Sequence, residues 1–137
     1  MYVESELTDG VVGLGIDIAS IHRIAKFIDR YDRETLLMLF TPTEIERCQS
    51  NCDRDRSYAI CFATKEAVGK ALGTGLVGID WNEIEANITH NKIAIALYGK
   101  ARMQAIERGI QTWIAQWLCW DDHILVHVLA YSEVSSK

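Results

Sequence analysis

The chain has 137 residues, 49 % hydrophobic and 24 % charged, which suits one globular domain whose core needs no disulfide or structural metal. Fourteen basic against nineteen acidic residues leave a net charge of −5, which excludes non-specific nucleic-acid binding, since that runs on a surplus of Lys and Arg. No apolar run approaches the ~20 residues of a membrane span, and the acidic start Met1-Tyr2-Val3-Glu4 is unlike a secretion signal, so a cytoplasmic chain with free thiols is expected.

Residues 1–10 are polar and expected to be loose, ahead of a single domain over 11–134. Val11 to Ile18 reads as a strand. Val12, Leu14, Ile16 and Ile18 make one greasy face, while Gly13 and Gly15 leave the other bare until Asp17. Glycines inside a strand mark close approach of a backbone or a ligand. Ser20 caps a helix to about Tyr31, with Ile21, Ile24 and Ile28 as its buried stripe. Arg23, Lys26, Arg30 and Arg33 fall within an ~80° arc on its other side.

Thr41-Pro42-Thr43-Glu44 reads as an N-cap, a first-turn proline and a capping-box glutamate, opening a helix to about Cys52. The longest helix runs from Arg54 to Leu72, ended by Gly73-Thr74-Gly75. Glu83–Thr89 and Lys92–Tyr98 form a hairpin around His90-Asn91. A helix over Lys100–Arg108 stops at Gly109. Two strands follow up to Tyr131, turning near Asp121-Asp122; the run Trp113–Trp120 fits a strand or a helix, and core is its commoner explanation. The order β-α-α-α-β-β-α-β-β specifies an α+β domain with mostly antiparallel pairing. Cys48 and Cys52 are spaced too widely for a zinc knuckle, so Cys48, Cys52, Cys61 and Cys119 read as small hydrophobes. His123 and His127 lie ~13 Å apart along a strand, too far to share a metal ion. Trp81 reads as a packing residue, and His22 as a surface one beside the basic stripe.

Chemistry concentrates in Phe62-Ala63-Thr64-Lys65-Glu66-Ala67-Val68-Gly69-Lys70-Ala71-Leu72-Gly73-Thr74-Gly75. Glu66 and Lys70 share a helix face, and the bland reading is an exposed ion pair. The surrounding helix is too apolar to be all surface, and the Gly-Thr-Gly turn can bring backbone N–H groups to an anion. Asp17 and Glu66, if they meet in space, supply the two carboxylates that Mg²⁺ takes from protein, with water and phosphate completing its octahedron. Nearby lysines would neutralise phosphate charge, which suits phosphoryl transfer. Mn²⁺ would accept the same oxygens.

Gly13-Leu14-Gly15-Ile16-Asp17-Ile18 with Ile21-His22-Arg23-Ile24 closely resembles the opening of holo-acyl-carrier-protein synthases. The Phe62–Gly75 segment resembles their second signature, and Thr41–Glu44 stands where they carry Leu-Thr-x-x-Glu. Order and spacing agree over about residues 11 to 110. The resemblance implies a phosphopantetheinyl transferase fold. It also implies transfer of the 4′-phosphopantetheine arm of coenzyme A to a serine of an acidic acyl carrier protein, releasing 3′,5′-ADP. It implies Asp17 and Glu66 as Mg²⁺ ligands and Lys70 beside the reacting phosphate. Lys65, Gly73, Thr74 and Gly75 would contact coenzyme A. The serine proton would pass to Glu66 or to a water on the metal; the water is preferred, because the metal already engages Glu66. Arg23, Lys26, Arg30 and Arg33 become a carrier-protein docking stripe. Homotrimers with active sites between subunits are implied as well.

Two departures stand out. The family's Gly-Lys-Pro before the strand at Lys92-Ile93 is missing, and its C-terminal Ser-His or Thr-His motif falls on Leu118-Cys119. A non-catalytic relative that grips a carrier protein or coenzyme A is therefore the alternative. An unrelated structural oligomer with surface ion pairs is weaker. Fatty-acid and polyketide carriers both fit as substrates, and contact of the Trp-rich run with another subunit or a specialised partner is its second explanation.

Overall fold

The computed structural model describes residues 10–132. The expected loose start lies outside them except for Gly10, whose carbonyl accepts from Ser132 N at 2.7 Å. Strand β1 covers Val11–Ser20 and is followed by helices α1 (Ile21–Arg30), α2 (Arg33–Leu36), α3 (Pro42–Ser50) and α4 (Arg54–Ala71). A 3-10 turn at Trp81–Glu83 leads into the hairpin β2 (Ile84–Thr89) and β3 (Lys92–Leu97). Helix α5 (Gly99–Glu107) precedes the long hairpin β4 (Ile110–Trp120) and β5 (His123–Ser132). The sheet order is β1-β5-β4-β3-β2 with every neighbouring pair antiparallel. The α+β class and the element order are those the sequence specifies, with α2 and the 3-10 turn added. Trp113–Trp120 is strand, not helix.

The local signals explain the boundaries. Ser20 Oγ accepts from Arg23 N at 3.2 Å, capping α1. Both halves of the Thr41–Glu44 capping box form. Arg33 departs from expectation. Tyr31 is extended and the Asp32 side chain accepts from Thr35 N, which ends α1 and starts α2. Arg33 therefore leaves the α1 stripe and opens a separate turn. Among the described residues no helix is long and apolar enough to cross a membrane.

Helix α4 is the centre of the core, packed on β1, β5 and β2. Its seat on β1 is made by two glycines. A Cβ at Gly15 would stand 1.8 Å from the Ala67 carbonyl oxygen, and one at Gly13 would stand 2.2 Å from that of Ala71. The bare face of β1 thus meets backbone, not ligand.

The greasy face of β1 points the other way and stays exposed, with Leu14 57 % and Ile18 54 % accessible. Register carries it across three strands. Leu14 faces Leu129, which faces Ile114; Ile16 faces His127, which faces Gln116; Ile18 faces Leu125, which faces Leu118. The Trp-rich run is split by this alternation, which corrects its reading as core. Trp113 and Trp117 pack against the core, whereas Leu118 and Trp120 are exposed. Trp81 packs as expected, stacking on Phe62 at 5.0 Å between ring centroids.

Candidate active site

Asp17 is the next residue on the glycine face of β1, so the close seating of α4 brings it before the helix. Lys70 Nζ donates to Asp17 Oδ1 at 3.1 Å and to the Ile16 carbonyl at 2.9 Å. Glu66, one turn earlier on α4, lies near enough for the charge on Asp17 to act on it. Asp17 of β1 and the pair Glu66 and Lys70 of α4, singled out from two segments, converge.

Their electrostatics follow from crowding. Burial raises the Asp17 carboxyl above its ordinary range, and the Lys70 ammonium only partly offsets it. Glu66 is raised by burial first and by the negative charge of Asp17 second, with Lys70 opposing. Two carboxylates sharing one ammonium are short of positive charge. Mg²⁺ fits this donor set: it is a hard cation that takes one or two protein carboxylates and keeps its remaining positions for water and phosphate. No cluster of three or more His, Cys, Asp or Glu able to hold a metal occurs among the described residues.

A pH dependence follows. Raised carboxyl pKa values mean that the fold favours the protonated groups, and that this contribution is lost as pH climbs through those values. At neutral pH the ionised pair repels itself, and a dication relieves the repulsion. Added Mg²⁺ is expected to raise the melting temperature more at pH 7.5 than at pH 5, where protons compete for the same oxygens. An equal Mg²⁺ shift at both pH values in a scanning-fluorimetry melt would remove the pair as the binding site.

Lys65 overturns its expectation. Its side chain is wholly buried, and its ammonium donates to Glu44 Oε1 at 2.7 Å, to the Trp81 carbonyl at 3.2 Å and to the Ile84 carbonyl. An ammonium has three donors, so none remains for coenzyme A. Glu44 completes the hub. It accepts from Thr41 N and Ala86 N, and burial raises its carboxyl although the Lys65 charge resists. Adjacent helical residues are 100° apart, so Lys65 faces α3 and β2 while Glu66 faces β1.

The Gly-Thr-Gly turn directly follows α4. Gly73 (φ +84°) and Gly75 (φ +62°) adopt the left-handed conformation that glycine tolerates. The Gly73 N–H is spent on the Lys70 carbonyl at 2.9 Å, so it does not offer itself to an anion, and the Arg108 guanidinium lies against the Gly73 Cα. Thr74 Oγ1 is 3.2 Å from Gln104 Oε1 of α5. Arg23, Lys26 and Arg30 are exposed along α1. Sequence reasoning missed what orients that helix. Asp122, in the β4–β5 turn, takes the Ser20 hydroxyl at 2.7 Å and His22 N at 3.0 Å. The Ser20 hydrogen bond in particular lowers the Asp122 carboxyl.

A cavity of about 270 Å³ lies apart from this pair, between α3, α4, β2 and β4. Arg47, Arg56, His90 and Trp117 line it, and the Cys48 and Cys61 thiols, 3.9 Å apart, form part of its wall. Arg56 lies 5.3 Å over the Trp117 ring, and its buried Nε has no hydrogen-bond partner among the described residues. Nothing in the local sequence pattern marks this cavity, because its residues come from four elements. Of the four cysteines, Cys48 and Cys61 are buried as expected, whereas Cys52 and Cys119 are exposed.

The tight β1–α4 seat thus presents two carboxylates and a lysine together at one edge of the sheet. The profile of the 4′-phosphopantetheinyl transferase superfamily matches residues 13–126, and the chain belongs to that family. The holo-acyl-carrier-protein synthase of Desulforudis audaxviator is 40 % identical over 101 residues, covering 73 % of this chain and 77 % of that protein. That of Geobacter sp. is 41 % identical over 102 residues, covering 73 % and 82 %. Among solved structures, the holo-acyl-carrier-protein synthase of Neisseria meningitidis superposes with a TM-score of 0.77 at 27 % identity over 89 % of this chain and 99 % of that one. The Helicobacter pylori synthase in complex with coenzyme A gives 0.72 at 29 % identity, over 85 % and 98 %. The chain is an enzyme of the phosphopantetheinyl transferase class.

Proposed function

We propose that this chain transfers 4′-phosphopantetheine from coenzyme A to a serine hydroxyl of an apo acyl carrier protein, with Mg²⁺ held by Asp17 and Glu66. The observation that carries this reading is the meeting of Asp17, Glu66 and Lys70 at one edge of the sheet. The serine oxygen attacks the phosphorus that bears the pantetheine arm and gives up its proton to water, Glu66 being engaged as a metal ligand. The bond to the bridging oxygen breaks, and 3′,5′-ADP leaves. When bound, Mg²⁺ supplies charge neutralisation at the pyrophosphate. Lys70 stabilises charge growing on the phosphoryl oxygens, held in place by Asp17 and the Ile16 carbonyl. The Gly73–Gly75 turn ends α4 just beyond Lys70 and would border the pantetheine phosphate, with Thr74 held beside Gln104.

The arginine-lined cavity suits the nucleotide end of coenzyme A, because two guanidinium groups and an indole match phosphate and a planar base. Its β4 and β2 walls stand two and four strand spacings from β1, ~10 and ~19 Å. A site shared between copies of the chain is in keeping with that separation. The exposed sheet face supports assembly, since its three rows hold no charged residue across β1, β5 and β4, with Lys92 of β3 at the margin of the middle row. An acidic carrier protein would have little to grip there, whereas an apolar face of this size matches a second copy of itself. A homotrimer is the assembly proposed. Four free thiols are in keeping with the cytoplasm.

The test weighs an apo carrier protein after incubation with coenzyme A and Mg²⁺. Gain of the phosphopantetheine mass on its serine is expected, and no gain across fatty-acid and polyketide carriers would defeat the proposal. Binding of coenzyme A without transfer would select the non-catalytic reading that the missing histidine at Cys119 motivates. In the same assay, Arg23→Glu and Arg30→Glu are each expected to raise KM for the carrier about tenfold while sparing KM for coenzyme A. An unchanged carrier KM in both would remove α1 as the docking surface.

A further inference from the structure

We infer that His127 makes assembly of this chain dependent on pH, holding copies together near neutrality and releasing folded protomers on acidification. The inference rests on the reading of the exposed sheet face as a contact between copies, and it concerns what regulates that contact.

His127 stands in the middle row of the middle strand of that face. On one side it faces Ile16 of β1, with Leu14 and Ile18 on the diagonals. On the other it faces Gln116 of β4, with Ile114 and Leu118 on the diagonals. Leu125 and Leu129 precede and follow it on its own face of β5. No acid and no base faces it from β1, β5 or β4; beyond Gln116 the same row ends on Lys92 of β3, a base that further disfavours an imidazolium. A second copy brings the same face and therefore the same groups, including a further His127.

Asp17 and Glu66 lie across the sheet on the α4 side. The nearest turn carboxylates, Asp121 and Asp122, belong to the hairpin end beside His123, about 17 Å along the strand. His123 differs accordingly: it stacks on Trp120 at 5.6 Å and has Asp122 to share a charge with. His22 and His90 are off this face, on α1 and in the β2–β3 turn.

A neutral imidazole is tolerated within an apolar contact, whereas an imidazolium without a carboxylate is costly to desolvate. Histidine is the side chain that changes charge between pH 5 and 8. Assembly must therefore release the proton or reject it. Acidification thus weakens assembly, and the loss multiplies with the number of copies that bring a His127 to the contact.

Sedimentation velocity on the full chain at pH 7.5 and 5.5, at constant ionic strength, tests this. Wild-type protein is expected to be assembled at pH 7.5 and to shift to smaller species at pH 5.5, with an unchanged far-ultraviolet circular dichroism spectrum. His127→Gln, or His127→Leu should glutamine itself weaken the contact, is expected to stay assembled at both values. His123→Gln is expected to follow the wild type. Equal assembly of the wild type at both pH values overturns the inference, as does a His127 variant that still dissociates, or loss of the folded spectrum at pH 5.5. A wild-type monomer at pH 7.5 would instead defeat the assembly reading itself.

Discussion

Glu66→Gln and Asp17→Asn are each expected to lower kcat/KM for transfer by at least about 10²-fold while leaving a folded protein. The reasoning is electrostatic. The two carboxylates are raised because the fold crowds negative charge there. Neutralising either one relieves the repulsion, so the melting temperature of the metal-free variants should hold or rise. Asp17→Asn also loses the contact with Lys70, whose side chain is half exposed, and such a contact stabilises by at most about 1 kcal/mol. The thermal shift on adding Mg²⁺ should vanish in both variants. Wild-type turnover in either would overturn the ligand assignment. Variants that unfold would recast the pair as structural.

The largest effect on stability is expected at Gly15. A Cβ there meets the Ala67 carbonyl oxygen at 1.8 Å, and that oxygen belongs to helix backbone that cannot rotate away. Either β1 or α4 must shift, so Gly15→Ala should cost about 3 kcal/mol or more, measured as a fall in the urea midpoint. Turnover should fall with it, because the same seat sets Asp17 opposite Glu66. Gly75→Ala is the contrast: nothing lies within 4 Å of its Cβ, so only its positive φ is strained, at about 1 kcal/mol. A Gly15→Ala variant as stable as the wild type would show that the close approach of β1 and α4 is not needed.

The two readings of this chain differ over one missing side chain. Where the family's C-terminal Ser-His or Thr-His falls, the chain has Leu118 and Cys119. Leu118 joins the exposed apolar face. The convergence of Asp17, Glu66 and Lys70 does not depend on that motif, since all three are set by the β1–α4 seat. Transfer is therefore the stronger reading.

Much of this was legible in the order of residues because its causes are local. Ser20, Thr41 and Glu44 announce helix starts through hydrogen bonds that reach three residues along the chain. His90 and Asp121, both with positive φ, sit in the turns where the chain reverses. Two glycines alternating before Asp17 signal a backbone in close contact. The pattern cannot say which backbone, since α4 lies some fifty residues downstream.

What lay beyond the sequence depends on which elements surround a side chain. Lys65 and Glu66 are neighbours in one helix, and only the placement of α3 and β2 buries the first while β1 leaves the second open. Alternation divides β1 and β4 into two faces, but only the position of α4 decides that the glycine face is inside and the isoleucine face outside. Burial is a property of assembled surfaces, and local pattern marks a buried stripe without naming what covers it.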